Sequence, residues 1–271
     1  MSGTGKKYIG PAVGIAAVIF TVLVYLNRPL TRSSGSLVIA HRGASTVAPE
    51  NTLSAFRLSF ELGADGIEFD VTLSSDGIPV VMHDPGLERT TDGKGRVSAL
   101  TLRELKRLDA GSWFSGEYAG ERIPSLREVL ERSDKKDRVL NIEIKNHGHD
   151  PVMLAERVLE TLEEDGTAGA VIISSFDFNV LSALRKISGS LRLGLSCSGQ
   201  TPEEAYRLAG MIGAEFIELD HSLVNEGTAG RIHSRGYKLT VWGADDPARF
   251  EWLRSEGVDN IITKNPELMK R

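Results

Sequence analysis

Two carboxylates stand two residues apart in Gly66-Ile67-Glu68-Phe69-Asp70. Successive side chains of a β-strand alternate faces, so Glu68 and Asp70 project from one side, about 6.6 Å apart along the chain. Acids held that way repel each other unless a proton or a cation lies between them. Upstream, the apolar run Leu37-Val38-Ile39-Ala40 stops at His41-Arg42-Gly43. Downstream, Pro79-Val80-Val81-Met82 ends in His83-Asp84. In Val139–Lys145, Leu140, Ile142 and Ile144 alternate with Asn141, Glu143 and Lys145, giving one apolar and one polar edge. Taken alone, Glu143 and Lys145 make an internal salt bridge; beside Glu68 and Asp70 they read better as part of a site. Imidazoles titrate near neutrality, so His41 and His83 can form an acid/base pair. Arg42 can hold a phosphate through two N–H groups, and Lys145 adds a point charge. Acids, imidazoles and cations at neighbouring strand ends point to a metal-assisted phosphate site.

Such residues need elements that bring their ends together. After Leu37–His41, a helix is expected over about 51–62, then a strand over Asp65–Val71 and a short one over Pro79–His83. Residues 84–122 break the alternation. They hold the loop Thr90-Thr91-Asp92-Gly93-Lys94-Gly95, a short helix opened by Thr101 with Glu104 as a capping box, and Gly111-Ser112-Trp113-Phe114. This segment reads as an insertion over the site or as a plain structural excursion. Further strands are expected at Val139–Ile144, Ala170–Ile173, Leu191–Leu195, Glu215–Leu219, Tyr237–Trp242 and Asn260–Thr263. Helices are expected at about 125–132, 151–164, 178–187, 202–209, 226–235 and 246–255. With Leu37 and Asp65 starting the first two strands, eight strand–helix units predict an α/β (β/α)8 TIM barrel, whose active sites lie at strand C-termini. The competing architecture, a doubly wound open sheet, calls for a glycine-rich phosphate turn where His41-Arg42-Gly43-Ala44 stands. Trp242, ending the seventh strand, is either barrel packing or an aromatic floor for a glycerol or lipid headgroup. Glu218 and Asp220, followed by His221, read as a pocket wall.

The 271 residues carry a net charge of −5. Residues 1–36 hold Lys6, Lys7, Arg28, Arg32 and no acid, so the remainder has 28 basic against 37 acidic side chains. A body that acidic lacks the basic footprint of a nucleic-acid binder. Cys197 is the sequence's one cysteine, which excludes an internal disulfide. Tyr8–Leu26 is an uncharged run of 19 residues, long enough at about 1.5 Å per residue to span a bilayer core. It predicts one N-terminal transmembrane helix within a membrane anchor at 1–27, with a polar tether at 28–36 and the barrel domain at 37–271. A cleaved signal peptide fits less well, because Val24-Tyr25-Leu26-Asn27-Arg28 offers no small-x-small cleavage site. Localisation is thus expected at a membrane, through a single pass. Basic residues flank the run on both sides, so the side facing the catalytic body is left open.

His41-Arg42-Gly43, Pro49-Glu50-Asn51-Thr52, Glu68-x-Asp70, Asp76-Gly77, His83-Asp84 and Glu143-x-Lys145 together resemble the motifs of the glycerophosphodiester phosphodiesterase family. The resemblance runs from Leu37 to the C-terminus, with Ser174-Ser175-Phe176 and Val241-Trp242 in keeping. It implies a TIM barrel, a divalent cation (Ca²⁺ or Mg²⁺), and hydrolysis of a glycerophosphodiester to glycerol-3-phosphate and an alcohol. By the same resemblance Glu68, Asp70 and Glu143 ligate the metal with Glu50 beside them, His41 and His83 are acid and base, and Arg42 and Lys145 hold the phosphate. Three carboxylates without thiols agree with a hard, oxygen-seeking cation. The chain departs from the family at Lys264, where members often have Asp. Two other functions compete: lysophospholipase D action on lysophospholipids, with Trp113, Phe114 and Trp242 receiving an acyl chain, and a catalytically silent membrane-tethered binding module.

Overall fold

The computed structural model describes residues 35–133, 138–265 and 268–269. Nine strands form one sheet: β1 (Leu37–His41), β2 (Gly66–Leu73), β3 (Pro79–Val81), β4 (Val139–Ile144), β5 (Ile172–Ser175), β6 (Arg192–Cys197), β7 (Phe216–Asp220), β8 (Lys238–Trp242) and β9 (Asn260–Thr263). Eight of them are parallel neighbours in the order β1-β9-β8-β7-β6-β5-β4-β2. A further pairing of β1 with β2 closes the ring. The expected (β/α)8 barrel is therefore present. The Pro79 strand is shorter than expected and runs antiparallel to the upper half of β2, outside the barrel, so His83 lies two residues beyond a strand.

The described α-helices are α1 (Leu53–Glu61), α2 (Leu102–Leu105), α3 (Leu126–Arg132), α4 (Pro151–Glu164), α5 (Phe178–Ile187), α6 (Pro202–Ile212), α7 (Thr228–His233) and α8 (Pro247–Ser255), with short 3-10 turns at Val97–Ala99, Gly116–Tyr118 and His221–Leu223. Their ends follow local chemistry. Thr101 with Glu104 and Ser125 with Glu128 form reciprocal capping boxes, and Asp150, Thr201 and Asp246 cap helices whose first residue is proline. The helix expected from Asn51 starts at Leu53 instead, with Thr52 as its N-cap. Asn51 itself has φ +59° and lies outside the helix.

The main apolar core lies between the outer helices and the sheet. Inside the ring, Ile39, Val139, Ile172, Phe216 and Ile262 form a separate buried plug. Above it comes a polar layer: Glu218 accepts from Ser196 and Asn141, and Asn260 donates to Thr240. Gly194 makes room for that layer, because a Cβ there would come within 2.8 Å of Glu218 Oε1. Residues 84–122 form no ninth repeat unit. With β3 they wrap a small core of their own that includes Leu87, Val97, Leu105 and Ile123.

The expected span over 8–26 and most of the tether lie outside the described residues. Among those described, no helix is long and apolar enough to cross a membrane.

Candidate active site

Strand register brings the acids together. In the parallel β2–β4 pair Asp70 faces Glu143, and in β1–β2 His41 faces Glu68. Glu68, Asp70 and Glu143 each offer an oxygen such that all lie within 4.8 Å of one another. Glu68 Oε1 is buried and accepts no hydrogen bond. Asp70 Oδ1 also accepts none and faces the Lys145 ammonium at 3.3 Å. A buried carboxylate oxygen without a donor is costly unless it meets a proton or a cation. The donor set, three carboxylates and no sulfur, fits a hard divalent ion.

The electrostatics agree. Burial, reinforced by Asp70 and Glu143, raises the Glu68 pKa well above the ordinary carboxylate range. Burial and Asp70 push Glu143 up to about 7, against the pull of Lys145. Asp70 behaves oppositely: burial raises its pKa, but Lys145, Arg42 and His83 outweigh it and hold the carboxyl below its usual value. Burial and mutual repulsion thus favour the protonated forms of Glu68 and Glu143, while the cations around Asp70 favour its charged form.

Around the acids stand the remaining expected residues. Arg42 occupies the left-handed region at φ +56° in the turn after β1, followed by Gly43 at +79°. This unfavourable backbone turns the Arg42 N–H onto Glu68 Oε2 at 2.9 Å. Its side chain reaches Glu50 Oε1 at 2.9 Å and Asp70 Oδ2 at 3.3 Å. Lys145 Nζ lies 2.5 Å from Glu143 and 5.6 Å from the centre of the Phe176 ring. Trp242 packs edge-on against Phe176, with ring centroids 6.1 Å apart, and its indole N–H is buried without an acceptor. His41 Nε2 is 3.8 Å from Glu68 Oε2. Burial and the neighbouring Arg42 lower its pKa to about 4, although a quarter of the side chain stays exposed. His83 Nδ1 is 2.6 Å from Asp84 Oδ1. Asp84 is held ionised well below its usual pKa, first by Arg89. A carboxylate can only accept, so His83 presents an N–H at Nδ1 to Asp84.

Sequence reasoning missed two contributors. Asn51 donates to Asp70 Oδ2 at 2.8 Å and accepts from the Asp70 N–H at 3.3 Å. Arg89 bridges Glu50 and Asp84. Asn51 has a signal in Pro49-Glu50-Asn51-Thr52, where Asn and Thr equally suit a helix start; nothing in the spacing marks Arg89. Glu218 lies deeper than a pocket wall, within the barrel's polar layer, and Asp220 caps the turn at Ser222. Lys264 pairs with Asp245 at 3.4 Å.

Comparison with known proteins gives the chain a family. Residues 41–268 match the model of the Glycerophosphoryl diester phosphodiesterase family. A glycerophosphodiester phosphodiesterase of Caldanaerobacter subterraneus subsp. tengcongensis is 40% identical over 234 residues, covering 86% of this chain and 96% of the relative. Among solved structures, an Oleispira antarctica phosphodiesterase in complex with the product sn-glycerol-3-phosphate superposes with a TM-score of 0.81 at 32% identity, covering 87% of this chain and 95% of that one. A glycerophosphodiester phosphodiesterase from Agrobacterium tumefaciens gives a TM-score of 0.76 at 29% identity, covering 86% and 98%.

Proposed function

The chain belongs to the glycerophosphoryl diester phosphodiesterase family and is an enzyme of that class, and on that premise we propose that it hydrolyses glycerophosphodiesters to sn-glycerol-3-phosphate and an alcohol with the help of a divalent cation, Ca²⁺ or Mg²⁺, in glycerophospholipid metabolism. The observation that carries the metal dependence is the buried Glu68–Asp70–Glu143 cluster with its unpartnered Glu68 oxygen. Those three residues would hold the ion. When bound, the ion supplies positive charge against the phosphoryl oxygens.

The chain's own groups do the rest. A phosphodiester is anionic and repels nucleophiles, so Arg42 and Lys145 offset its charge and orient it. One imidazole of the His41 and His83 pair takes the proton of the attacking hydroxyl, from water or from the substrate's own 2-hydroxyl. The other returns a proton to the departing alkoxide. His41 is neutral at pH 7 and begins able to accept. Asp84 holds the His83 ring by Nδ1, so that its Nε2 edge is the one turned to a reacting group. Whichever ring serves the leaving group must carry its proton beforehand. Trp242 and Phe176 form an apolar wall beside Lys145 for the glycerol.

A second substrate class, lysophospholipids, is favoured by exposed apolar side chains. Trp113 is 40% exposed and packs edge-on against Phe114, which packs on Tyr118. Tyr118 in turn donates to the Val47 carbonyl in the loop after β1. The N-terminal run supports anchoring beside lipid, with residues 37–271 as the catalytic body. Co-sedimentation of the full chain with membranes, and protease protection there, tests the anchor and reads its side.

The deciding experiment titrates metal into the full-length protein with glycerophosphocholine, glycerophosphoethanolamine, glycerophosphoglycerol and their lyso-lipid counterparts. Cleavage of the water-soluble diesters, abolished by EDTA and restored by cation, is expected. Full activity in chelator overturns the metal dependence. Cleavage of lyso-lipids alone moves the assignment to the second class, and cleavage of nothing favours a silent module.

A further inference from the structure

The long segment after β3 contributes Asp84 and Arg89 to the charge network of the site, and Arg89 is its fork. Its Nη1 and Nη2 each lie 2.8 Å from a Glu50 oxygen, and its Nε lies 2.5 Å from Asp84 Oδ2. Every nitrogen of the fork is thus engaged by one of two carboxylates. Asp84 holds His83 Nδ1 at 2.6 Å. Glu50 holds Arg42 Nη1 at 2.9 Å, and Arg42 Nε is 3.3 Å from Asp70. A continuous run of opposite charges, Asp70–Arg42–Glu50–Arg89–Asp84, therefore links the acidic cluster to an imidazole from another part of the chain.

We propose that Arg89 is a positioning residue for the hydrolysis, acting at both ends of this run. At one end it pins Asp84, so that His83 keeps its Nδ1–H form and a fixed ring orientation. At the other it shares Glu50 with Arg42; without Arg89, Glu50 keeps a single guanidinium and draws it away from Asp70. An isolated ion pair on an exposed arginine contributes little. The run differs because its Glu50 and Asp70 side chains are 13% and 1% exposed, and because one planar fork spans two acids in fixed geometry. Lysine keeps the charge but cannot make that span.

The inference rests on the reading that His83 moves a proton, and the test separates the two. The full-length enzyme is assayed with saturating cation as R89K, R89A, D84N, R89K/D84N and H83A. Loss of a group that orients a reacting side chain costs roughly 10–100-fold. R89K and R89A are expected to lose that much kcat, with KM within about threefold of wild type. The double variant is expected to be no slower than the slower single one, because both changes cut the same path. Millimolar guanidinium is expected to restore part of the R89A turnover and none of the D84N turnover. Wild-type turnover in R89K and R89A, a loss confined to KM, or independent losses in the double variant overturns the proposal. Should R89A not fold, the R89K and D84N cycle decides alone. An active H83A overturns the proton-transfer reading instead; an inactive H83A beside fully active R89K overturns the Arg89 role only.

Discussion

Glu68 and Glu143 are buried acids pushed toward their protonated forms, and the sign of their shifts makes the proposed cation site testable. Their folded-state pKa values are raised, Glu143 to about 7. In cation-free protein they contribute stability that is complete below the unfolded value and is lost as pH climbs through the folded one. His41 acts in the other direction, since its pKa falls from 6.5 to about 4 and its contribution is gained as pH rises between those values. His147 and His149 are lowered in the same way, so the acids are isolated by comparing wild type with E143Q, in which the histidine contributions cancel. The melting temperature of wild type relative to E143Q in EDTA should therefore fall between about pH 5 and 7.5, with divalent cation reversing the fall; a difference that stays flat in calorimetry contradicts the raised Glu143 carboxyl. By the same linkage, cation affinity measured by isothermal titration should strengthen with pH up to about 7 and release protons. Replacing Glu68 by Gln removes a repulsion but also a carboxylate of the proposed cation site. E68Q is expected to melt higher than wild type at pH 8 in EDTA, by roughly 2–4 °C for each kcal/mol relieved. Its turnover should drop by roughly 10²–10³-fold.

Loops after the strands supply what the strands themselves cannot. Arg42 and Asn51 both sit in the turn between β1 and α1 with positive φ, at 56° and 59°. Each uses that conformation to address the β2 acids. Asn51 clamps Asp70 from both sides, so N51A should weaken cation binding by roughly 10–100-fold while leaving the unbound fold cooperative; equal affinities in titration calorimetry would deny Asn51 that role. The sequence showed that this turn follows a strand and precedes a helix. It did not show that the helix starts after Asn51, because Asn and Thr both suit a helix start and only the tertiary contact with Asp70 separates them. The short β3 strand illustrates the same limit: its apolar residues fit any strand, and its antiparallel pairing with β2 is settled by the partner.

At the scale of the molecule, a ring of parallel strands with an apolar plug and a buried polar layer carries the acids at its C-terminal rim. Gly194 is part of that design, and G194A is expected to cost about 1–3 kcal/mol through contact with Glu218, read as a lower urea midpoint. Alternation of strand and helix predicted the barrel from sequence alone, and same-face spacing in Glu68-x-Asp70 and Glu143-x-Lys145 predicted which side chains share an edge. These are local properties: a strand's period fixes which side a residue faces whatever the strand packs against. Which strands are neighbours, that Asp70 stands opposite Glu143, that Glu218 lies in the interior, and that Arg89 arrives from a loop 39 residues after Glu50 were decided only by the tertiary structure. Those relations depend on how the ring closes and on where an irregular segment folds back, and no short stretch of chain encodes either.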